Sequence, residues 1–262
     1  MIPRGYITEW NETVPWINMH QVEQDLIISR ALVAIYNDEY LSKRLAFRGG
    51  TALHRLYMAP QVRYSEDIDL VQIIAEPIGQ TLTRLREVLS FLGKPATLRK
   101  ESNNTMVHKM QSTFPPETTM KLKVEINCKE HFSILGYREM PYRIVSTWFS
   151  GNCTLITFDI NELIGTKLRA LYQRRKGRDL FDLYFTASSP LFDPVLAIDC
   201  FRRYIEFSDK KTPSPKEFLY NLEEKMKIPQ FLKDMDGLIH PGFAYDPYTA
   251  FDTVKEVFIQ NL

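Results

Sequence analysis

Asp67 and Asp69 stand on either side of Ile68 in a short apolar segment, and their spacing constrains the fold more than any other feature of the sequence. In a β-strand, residues i and i+2 project from the same face, so a strand within residues 63–74 would carry both carboxylates together. Two like charges so close repel each other unless a cation lies between them. Mg²⁺ prefers oxygen ligands and often binds one or two carboxylates together with substrate phosphates. The pair therefore predicts a strand that carries a divalent-cation site.

A glycine turn precedes the two carboxylates. Gly49 and Gly50 have no Cβ atoms, so the backbone N–H groups of a tight turn could approach a phosphate closely. Thr51 adds a hydroxyl group, and residues 52–57 could begin a helix, whose N-terminus favours anions. A lone glycine pair is usually only a turn, and a lone Asp-x-Asp is usually a solvated edge. In this order, however, a phosphate-binding turn and a metal-binding strand are the equipment of nucleotidyl transfer.

A third carboxylate, Glu125, lies in the segment KLKVEINC, residues 121–128. Apolar residues alternate there with Lys123 and Glu125, which predicts a strand with these two side chains on its polar face. If this strand lies beside the Asp-x-Asp strand, Glu125 would complete a triad of metal ligands. The alternative is an ordinary exposed strand residue that pairs with Lys123 or Lys129.

The sequence changes character at residue 159. Before it, helical patterns at 20–45 and 80–93 are interspersed with extended segments. These segments lie within 63–74 and at 96–100, 105–113, 120–128 and 153–158. After it, residues 160–174 and 178–187 predict helices, and further helical segments follow between prolines. We therefore expect an α+β fold, with a small mixed sheet in an N-terminal lobe, residues 1–158, and an all-helical C-terminal lobe, residues 159–262.

Three charged residues of the helical region stand out. Lys167 lies close to the apolar stripe of its predicted helix, where a lysine is unusual unless its head reaches a cleft or snorkels into solvent. Asp179 and Asp182 are three residues apart and would share one helix face. A favourable charge at a helix N-terminus explains Asp179 equally well. Asp182 has no such explanation, because its sequence neighbours are apolar.

Composition narrows the environment and the class of partner. The formal net charge is +1, so any contact with nucleic acid must come from local basic patches, such as Arg63 and the run RRKGR at residues 174–178. The three cysteines, Cys128, Cys153 and Cys200, are widely spaced, which predicts reduced thiols and a cytoplasmic protein. Since no apolar run approaches the roughly 18 residues of a membrane span, we expect no membrane contact.

The segments RGGTAL, RYSEDIDL and KLRALYQRRKGRDLFDLY resemble the AbiEii/AbiGii toxin family of nucleotidyltransferases. This family belongs to the DNA polymerase β-like nucleotidyltransferase superfamily, and its members act as toxins of type IV toxin–antitoxin systems. The resemblance is specific over residues 47–72 and 162–184 and looser over the strands between them. Most of the superfamily has Gly-Ser in the phosphate turn and a shorter gap to the aspartates. The Gly-Gly-Thr turn and longer gap found here resemble the toxin branch rather than aminoglycoside-type or poly(A)-type enzymes.

The resemblance implies a role for each matching position. The residues that would hold the phosphates of an NTP substrate in the N-terminal lobe are Gly49, Gly50, Thr51 and Ser65. Asp67 and Asp69 would bind Mg²⁺ (or Mn²⁺), whereas Glu125 stays open because the superfamily's third carboxylate varies. Lys167 would contact the triphosphate, and Asp182, together with Asp179, would complete the site from the helical lobe.

The implied reaction is in-line attack of an acceptor hydroxyl on the α-phosphorus of the NTP, with release of pyrophosphate. Some family members add nucleotides to the 3′ end of tRNA, which suggests an RNA acceptor here, and the toxin family implies a cognate antitoxin. Two alternatives stay open. One is NMP transfer to a protein or a small molecule, and the other is a non-catalytic module that binds nucleotide or RNA.

Overall fold

The computed structural model describes residues 2–99, 103–208 and 211–262. The chain folds into two compact units, Met1–Phe158 and Asp159–Leu262. The architecture is mixed α/β, and its strands form one sheet of seven strands within the described ranges.

The sheet belongs to the first unit and is mixed, as the sequence predicts. Its strands are β1 (Leu45–Arg48), β2 (Ile68–Gln72), β3 (Ala96–Arg99), β4 (Asn103–Gln111), β5 (Thr119–Asn127), β6 (Tyr137–Val145) and β7 (Ser150–Phe158). Their order across the sheet is β3-β4-β5-β2-β1-β7-β6. β2 runs parallel to β5 and β1 runs parallel to β7, whereas the other neighbours are antiparallel. The strand with the two aspartates therefore lies at the centre of the sheet, between β5 and β1.

Each predicted extended segment corresponds to a strand, but the sequence patterns missed β1 and β6. β1 has only four residues and follows a helical pattern without a glycine or proline to separate them. β6 contains Pro141, which disfavours a strand assignment except at a sheet edge, and β6 is an edge strand. The predicted segment 96–100 corresponds to β3, and Lys100 lies outside the described residues.

The first unit also contains helices around this sheet. They are α1 (Arg4–Asn11), α2 (Met19–Tyr36), α3 (Glu39–Ser42), α4 (Gly49–Leu56) and α5 (Gly79–Val88), and a short 3₁₀ helix spans Ser90–Leu92. The helical pattern at residues 20–45 forms two helices rather than one, because α2 ends at Tyr36. The Asp38 side chain accepts hydrogen bonds from the N–H groups of Tyr40 and Leu41, 3.1 and 2.9 Å away, and so starts α3 as a new helix.

A buried polar network anchors α4 against the N-terminal helices. The carboxylate of Asp25, on α2, accepts hydrogen bonds from the indole N–H groups of Trp10 and Trp16 at 3.0 and 3.1 Å. The same carboxylate pairs with Arg55 of α4 at 2.6 Å. Arg55 also donates to Ser29 of α2. Because both ion-pair partners are buried and hydrogen-bonded, this network fixes the helix that begins at Gly49.

The second unit is built from helices that begin at side-chain caps and prolines. They are α6 (Ile160–Gln173), α7 (Gly177–Thr186), α8 (Pro194–Glu206), α9 (Pro215–Met226), α10 (Pro229–Leu232) and α11 (Pro247–Val257), with a 3₁₀ turn at Ile259–Asn261. The Asp159 side chain caps α6 by accepting from the N–H of Asn161 at 2.9 Å. Four of these helices start with proline, whose missing N–H is not needed at the first helical position.

Two expectations from composition concern membrane spans and cysteines. In the described part of the chain, no helix is both long and apolar enough to cross a membrane. Cys128, Cys153 and Cys200 are free cysteines. Burial raises the pKa of the Cys153 thiol to about 11, so this side chain stays protonated at neutral pH.

Candidate functional site

The turn between β1 and α4 requires a glycine and brings a carboxylate to the start of the helix. Gly49 has a φ of +81°, in the left-handed region that favours glycine. A Cβ atom at this position would overlap the carboxylate of Asp69. Since Gly49 is also the first residue of α4, the carboxylate lies at a helix N-terminus, where the helix dipole favours negative charge.

The two aspartates lie at the N-terminal end of the central strand, β2. Asp69 is the second residue of β2, and Asp67 comes just before its first residue, Ile68. Ile68 and Leu70 are buried in the core, whereas Asp67 and Asp69 are half-buried. The predicted alternation of anchoring apolar residues and outward carboxylates is therefore confirmed for this strand.

Glu125 lies beside Asp69 on the neighbouring strand. The parallel register of β2 and β5 pairs Asp69 with Glu125, so the two side chains belong to the same face of the sheet. Thr105 donates to the Glu125 carboxylate at 3.4 Å. Within residues 2–99, 103–208 and 211–262, no group of three or more His, Cys, Asp or Glu side chains could hold a metal ion alone. A cation held by Asp67 and Asp69 would thus need substrate phosphates or water as further ligands, which is the usual way Mg²⁺ binds.

The electrostatic environment of Asp67 fits a cation-binding carboxylate. Its pKa is raised from 3.8 to about 6. Burial is the largest cause, Lys123 opposes it, and the charges of Asp69, Glu66 and Glu125 raise the pKa further. Lys123 Nζ lies 3.8 Å from Asp67 Oδ2, so this lysine pairs with the aspartate rather than with Glu125. Excess negative charge at a half-buried carboxylate is the condition that a bound divalent cation would relieve.

The Thr51 hydroxyl is hydrogen-bonded to two residues of the segment that leads into β2. The Thr51 hydroxyl donates to the carbonyl oxygen of Asp67 at 2.5 Å and lies 2.7 Å from the Ser65 hydroxyl. Thr51 is almost fully buried, whereas Ser65 is half-buried. The Thr51 hydroxyl therefore positions the segment that carries Ser65 and Asp67, and a phosphate contact at Thr51 would have to come from its backbone N–H.

Gln24 is a positioning residue that sequence analysis missed. Its side-chain amide donates to the carbonyl oxygen of Glu66 at 2.9 Å and to that of Lys121 at 3.1 Å. These two carbonyl groups belong to the residue before Asp67 and to β5. Gln24 thus fastens α2 to both segments that carry the carboxylates. Its position within a helical apolar stripe, where a polar side chain needs partners, is the signal that could have identified it.

Arg63 does not have the role that the sequence suggested. Its side chain is buried, and it donates to His54 Nε2 at 3.2 Å and to the carbonyl oxygen of Tyr64 at 2.9 Å. The prediction that Arg63 steers an RNA backbone is therefore wrong, because its guanidinium is committed to the interior. Tyr64 is buried and packs edge-to-face on Trp16 with ring centroids 5.4 Å apart, so this tyrosine belongs to the core.

In the second unit, Lys167 is enclosed by two carboxylates. Its Nζ atom lies 2.8 Å from Asp182 Oδ2 and 3.2 Å from Asp179 Oδ1. All three side chains are buried. Lys167 therefore does not snorkel into solvent, and Asp182 and Asp179 both contact it, as residues on one helix face can. We call Lys167, Asp179 and Asp182 the buried charge cluster.

Two cations of the basic run at 174–178 are paired within the second unit. Arg174 makes a two-pronged contact with Asp179, at 2.7 and 2.8 Å. Arg178 pairs with Asp234, with Nε of the arginine 3.1 Å from Oδ2 of the aspartate. Arg175 and Lys176 are exposed. The prediction that the whole run steers RNA therefore applies best to these last two residues.

Lys225 belongs beside the buried charge cluster and was not predicted from the sequence. This buried lysine, on α9, donates hydrogen bonds to the carbonyl oxygens of Leu171 and Tyr172 in the last turn of α6, the second of them at 2.8 Å. Burial lowers its pKa to about 8, against the opposing charge of Asp179. Phe218, Leu222 and Lys225 are all buried at helical spacing, so the apolar periodicity of α9 was the available signal.

Comparison with known proteins identifies the family. A model of the family described as nucleotidyl transferase AbiEii toxin, type IV TA system, matches residues 30–257. No curated protein sequence matches the chain significantly.

Solved structures share the fold at low sequence identity. MenT4, a nucleotidyltransferase toxin from Mycobacterium tuberculosis H37Rv, superposes with a TM-score of 0.66 at 14% identity, covering 100% of this chain and 91% of that one. JHP933 from Helicobacter pylori superposes with a TM-score of 0.57 at 19% identity, covering 93% and 91% of the two chains. A putative nucleotidyltransferase from H. pylori gives 0.56 at 19% identity, covering 93% and 95%. Because the family match spans most of the chain, the protein belongs to the AbiEii family of nucleotidyltransferase toxins of type IV toxin–antitoxin systems.

Proposed function

We propose that this nucleotidyltransferase transfers an NMP group from an NTP to a hydroxyl group of RNA in a divalent-metal-dependent reaction. The observation that carries the proposal is the position of the Asp69 carboxylate at the N-terminus of α4, against Gly49 and two residues after Asp67. This arrangement joins a site for phosphate to a site for a cation, which is what a metal–triphosphate substrate requires.

The residues of the first unit would divide the work as follows. Asp67 and Asp69 would hold Mg²⁺ or Mn²⁺, and the bound cation would neutralise the charge that develops on the triphosphate. The N–H groups at the start of α4, at Gly50 and Thr51, donate to phosphate oxygens. Ser65, half-buried and tied to Thr51, orients the same segment toward the phosphates. Glu125 adds negative charge beside Asp69 and thereby raises the affinity for the cation.

We also propose roles for the second unit, on the strength of the family resemblance. The two units would correspond to a nucleotidyltransferase lobe and an all-helical lobe that completes the active site. Lys167 would contact the triphosphate, and its two carboxylate partners would hold the ammonium group in place. Asp182 would complete the catalytic set, and Asp179, paired with Arg174, would fix the start of α7.

The acceptor is the most specific part of the proposal. The family resemblance favours the 3′ end of tRNA, and the exposed cations Arg175 and Lys176 suit an RNA backbone. The toxin family implies a cognate antitoxin that would oppose the activity.

Transfer of a radiolabelled nucleotide tests the acceptor directly. The protein is incubated with Mg²⁺ and each of the four α-labelled NTPs in turn, with purified tRNA, total RNA or a protein extract, and the products are separated by size. We expect label in tRNA and none in protein. Label only in protein or in a small molecule would replace the RNA acceptor, and failure of the protein to bind Mg²⁺–NTP would favour a non-catalytic module.

A further inference from the structure

The first unit contains a cavity whose lining does not include Asp67 or Asp69. It has a volume of about 450 Å³ and is lined by α2, by the 3₁₀ helix Ser90–Leu92, by the end of β4 and by the turn between β6 and β7. Its volume is within the usual range of ligand sites in proteins, roughly 300–1,000 Å³. Its walls combine aromatic rings with a few polar side chains.

Arg30 of α2 is stacked among aromatic rings in this cavity. Its guanidinium carbon lies 4.1 Å from the ring centre of Phe91, 4.7 Å from that of Trp148 and 5.2 Å from that of Phe149. Such stacking occupies the faces of the guanidinium plane and leaves the N–H donors at its edge. A planar donor edge is the group that recognises a carboxylate or a phosphate.

The donor edge of Arg30 meets no acceptor in the described ranges, since stacking on rings is the contact that the structure gives it. Burial lowers the pKa of Arg30 without an opposing carboxylate. Arg55 shows the contrast, because burial acts on it as well, but Asp25 and Tyr142 outweigh burial and raise its pKa. Arg30 is thus a half-buried cation whose charge is stabilised by rings alone.

The rest of the cavity suits a nucleotide better than a peptide carboxylate. Trp148 and Phe91 are half-buried and so retain ring surface on which a base could stack. Glu23 and Gln111 also line the cavity. Glu23 Oε2 accepts from the N–H of Thr113 and the Gln111 amide donates to Thr119, which leaves Glu23 Oε1 and the Gln111 side-chain oxygen as acceptors for a base edge. Glu23 and Arg30 are seven residues apart on α2, roughly 10 Å along the helix axis, which is comparable with the length of a nucleotide.

Charge around the cavity points the same way. Lys94 follows the cavity residue Gly93, Lys109 precedes the cavity residue Met110, and both lysines are exposed. Exposed lysines beside an aromatic platform are the usual equipment for following a single-stranded backbone.

We propose that the Arg30 cavity binds one nucleotide of a single-stranded RNA, with a phosphate at the guanidinium edge and the base against Trp148. The site serves as an anchor for the acceptor RNA at a distance from the catalytic carboxylates. This inference rests on the proposed RNA acceptor but concerns binding alone.

Fluorescence titration with a short single-stranded RNA, in EDTA and without NTP, tests the anchor. Trp148 lies in the cavity, whereas Trp10 and Trp16 donate to Asp25 in the buried network. We expect RNA to quench tryptophan emission in the wild type and expect Trp148→Phe to remove most of that signal. Arg30→Gln should weaken RNA binding by roughly tenfold, the scale of one lost stacking or charge-assisted contact. The RNA affinity of Arg30→Lys should lie between that of the wild type and that of Arg30→Gln.

Arg44→Gln is the matched control. Arg44 is also stacked on a ring, that of Tyr40 at 3.8 Å, but its edge is already paired with Glu76 at 2.7 Å. It should therefore leave RNA affinity unchanged. Melting temperatures of all variants establish that each is folded, and Arg30→Lys keeps the test open if Arg30→Gln does not fold.

Each outcome separates the anchor from the proposed reaction. Unchanged RNA affinity in Arg30→Gln would overturn the anchor even if nucleotide transfer to RNA is observed. Arg30-dependent RNA binding would stand even if no transfer occurs. Quenching by AMP as strong as that by RNA, or by an acidic peptide instead of RNA, would overturn the assignment to a single-stranded RNA.

Discussion

The carboxylate of Asp69 occupies the space that a Cβ atom on Gly49 would need. The relationship links the two halves of the proposed site, because Gly49 begins the helix that we propose binds phosphate and Asp69 belongs to the strand that we propose binds a cation. A substitution at Gly49 should therefore displace the Asp69 carboxylate.

Gly49→Ala should impair both folding and nucleotide binding. The matched control is Gly136→Ala, because Gly136 has the same φ of +81° but open space around its α-carbon. Both variants should lose about 1–2 kcal/mol of unfolding free energy from backbone strain. Gly49→Ala should lose more, since Asp69 must move, and it alone should reduce the rise in melting temperature that Mg²⁺–NTP produces. Equal losses in urea denaturation would show that the Asp69 contact has no energetic weight.

Asp67→Asn should stabilise the metal-free protein in a pH-dependent way. The pKa of Asp67 is about 6 in the folded protein, above its ordinary value, so the folded state binds more protons between roughly pH 4 and 6. Stability of the wild type therefore falls as pH rises through this window. In EDTA at pH 7.5 the variant should gain about 1–3 kcal/mol, and at pH 4 the gain should vanish.

Urea denaturation at the two pH values measures this difference. Glu66→Gln removes the exposed neighbouring charge and should change stability by no more than about 0.5 kcal/mol. A gain for Asp67→Asn that is the same at pH 4 and pH 7.5 would contradict the repulsion that we infer around this carboxylate.

Asp182→Asn distinguishes a catalytic role from a structural one. The fully buried carboxylate contacts Lys167, which keeps Asp179 as a partner, so we expect a loss of about 1–3 kcal/mol in stability. If Asp182 takes part in catalysis, turnover per folded molecule should also fall by roughly 10²-fold. Asp234→Asn, which removes the partner of Arg178, should lower stability without this loss. Unchanged turnover per folded Asp182→Asn molecule would assign the residue to packing alone.

Lys225→Met should destabilise the second unit by about 1–3 kcal/mol, because two helix-end carbonyl groups lose their donor. The folded pKa of about 8 lies below the ordinary value of 10.5, so the unfolded chain binds more protons between these values. Stability of the wild type relative to the variant should therefore grow as pH rises from 8 to 10.5. Lys227→Met, at an exposed pair with Glu224, is the control and should be nearly neutral. A difference that shrinks with rising pH would contradict the buried environment of Lys225.

The parts of the site that a local pattern encodes were predictable. The alternation around Asp67, Asp69 and Glu125 predicts strand and face, whereas the pairing of Asp69 with Glu125 on neighbouring strands was left open by the sequence and is supplied by the structure. The spacing of Asp179 and Asp182 likewise predicted a shared helix face, and both contact Lys167.

The parts that depend on distant segments were not predictable. Whether an arginine is a surface cation or a core residue depends on how the rest of the chain packs around it, and the sequence did not reveal that Arg63 is buried. The surroundings of Arg30 were equally hidden, because its aromatic neighbours Phe91 and Trp148 lie about 60 and 120 residues away in the chain. Only tertiary packing brings residues so far apart into contact. Thr51 illustrates the middle case, since its position was predicted but the use of its hydroxyl was not.

We expect nucleotide transfer to RNA to depend on both Asp67 and Asp69. Incorporation of α-labelled NTP into tRNA is compared, in the presence of Mg²⁺, for the wild type, Asp67→Asn, Asp69→Asn and the neighbouring control Glu66→Gln, all at equal concentrations of folded protein. We expect label in tRNA with the wild type and Glu66→Gln and essentially none with either aspartate variant. Full incorporation by both aspartate variants, or none by the wild type with any of the four NTPs, would contradict this expectation.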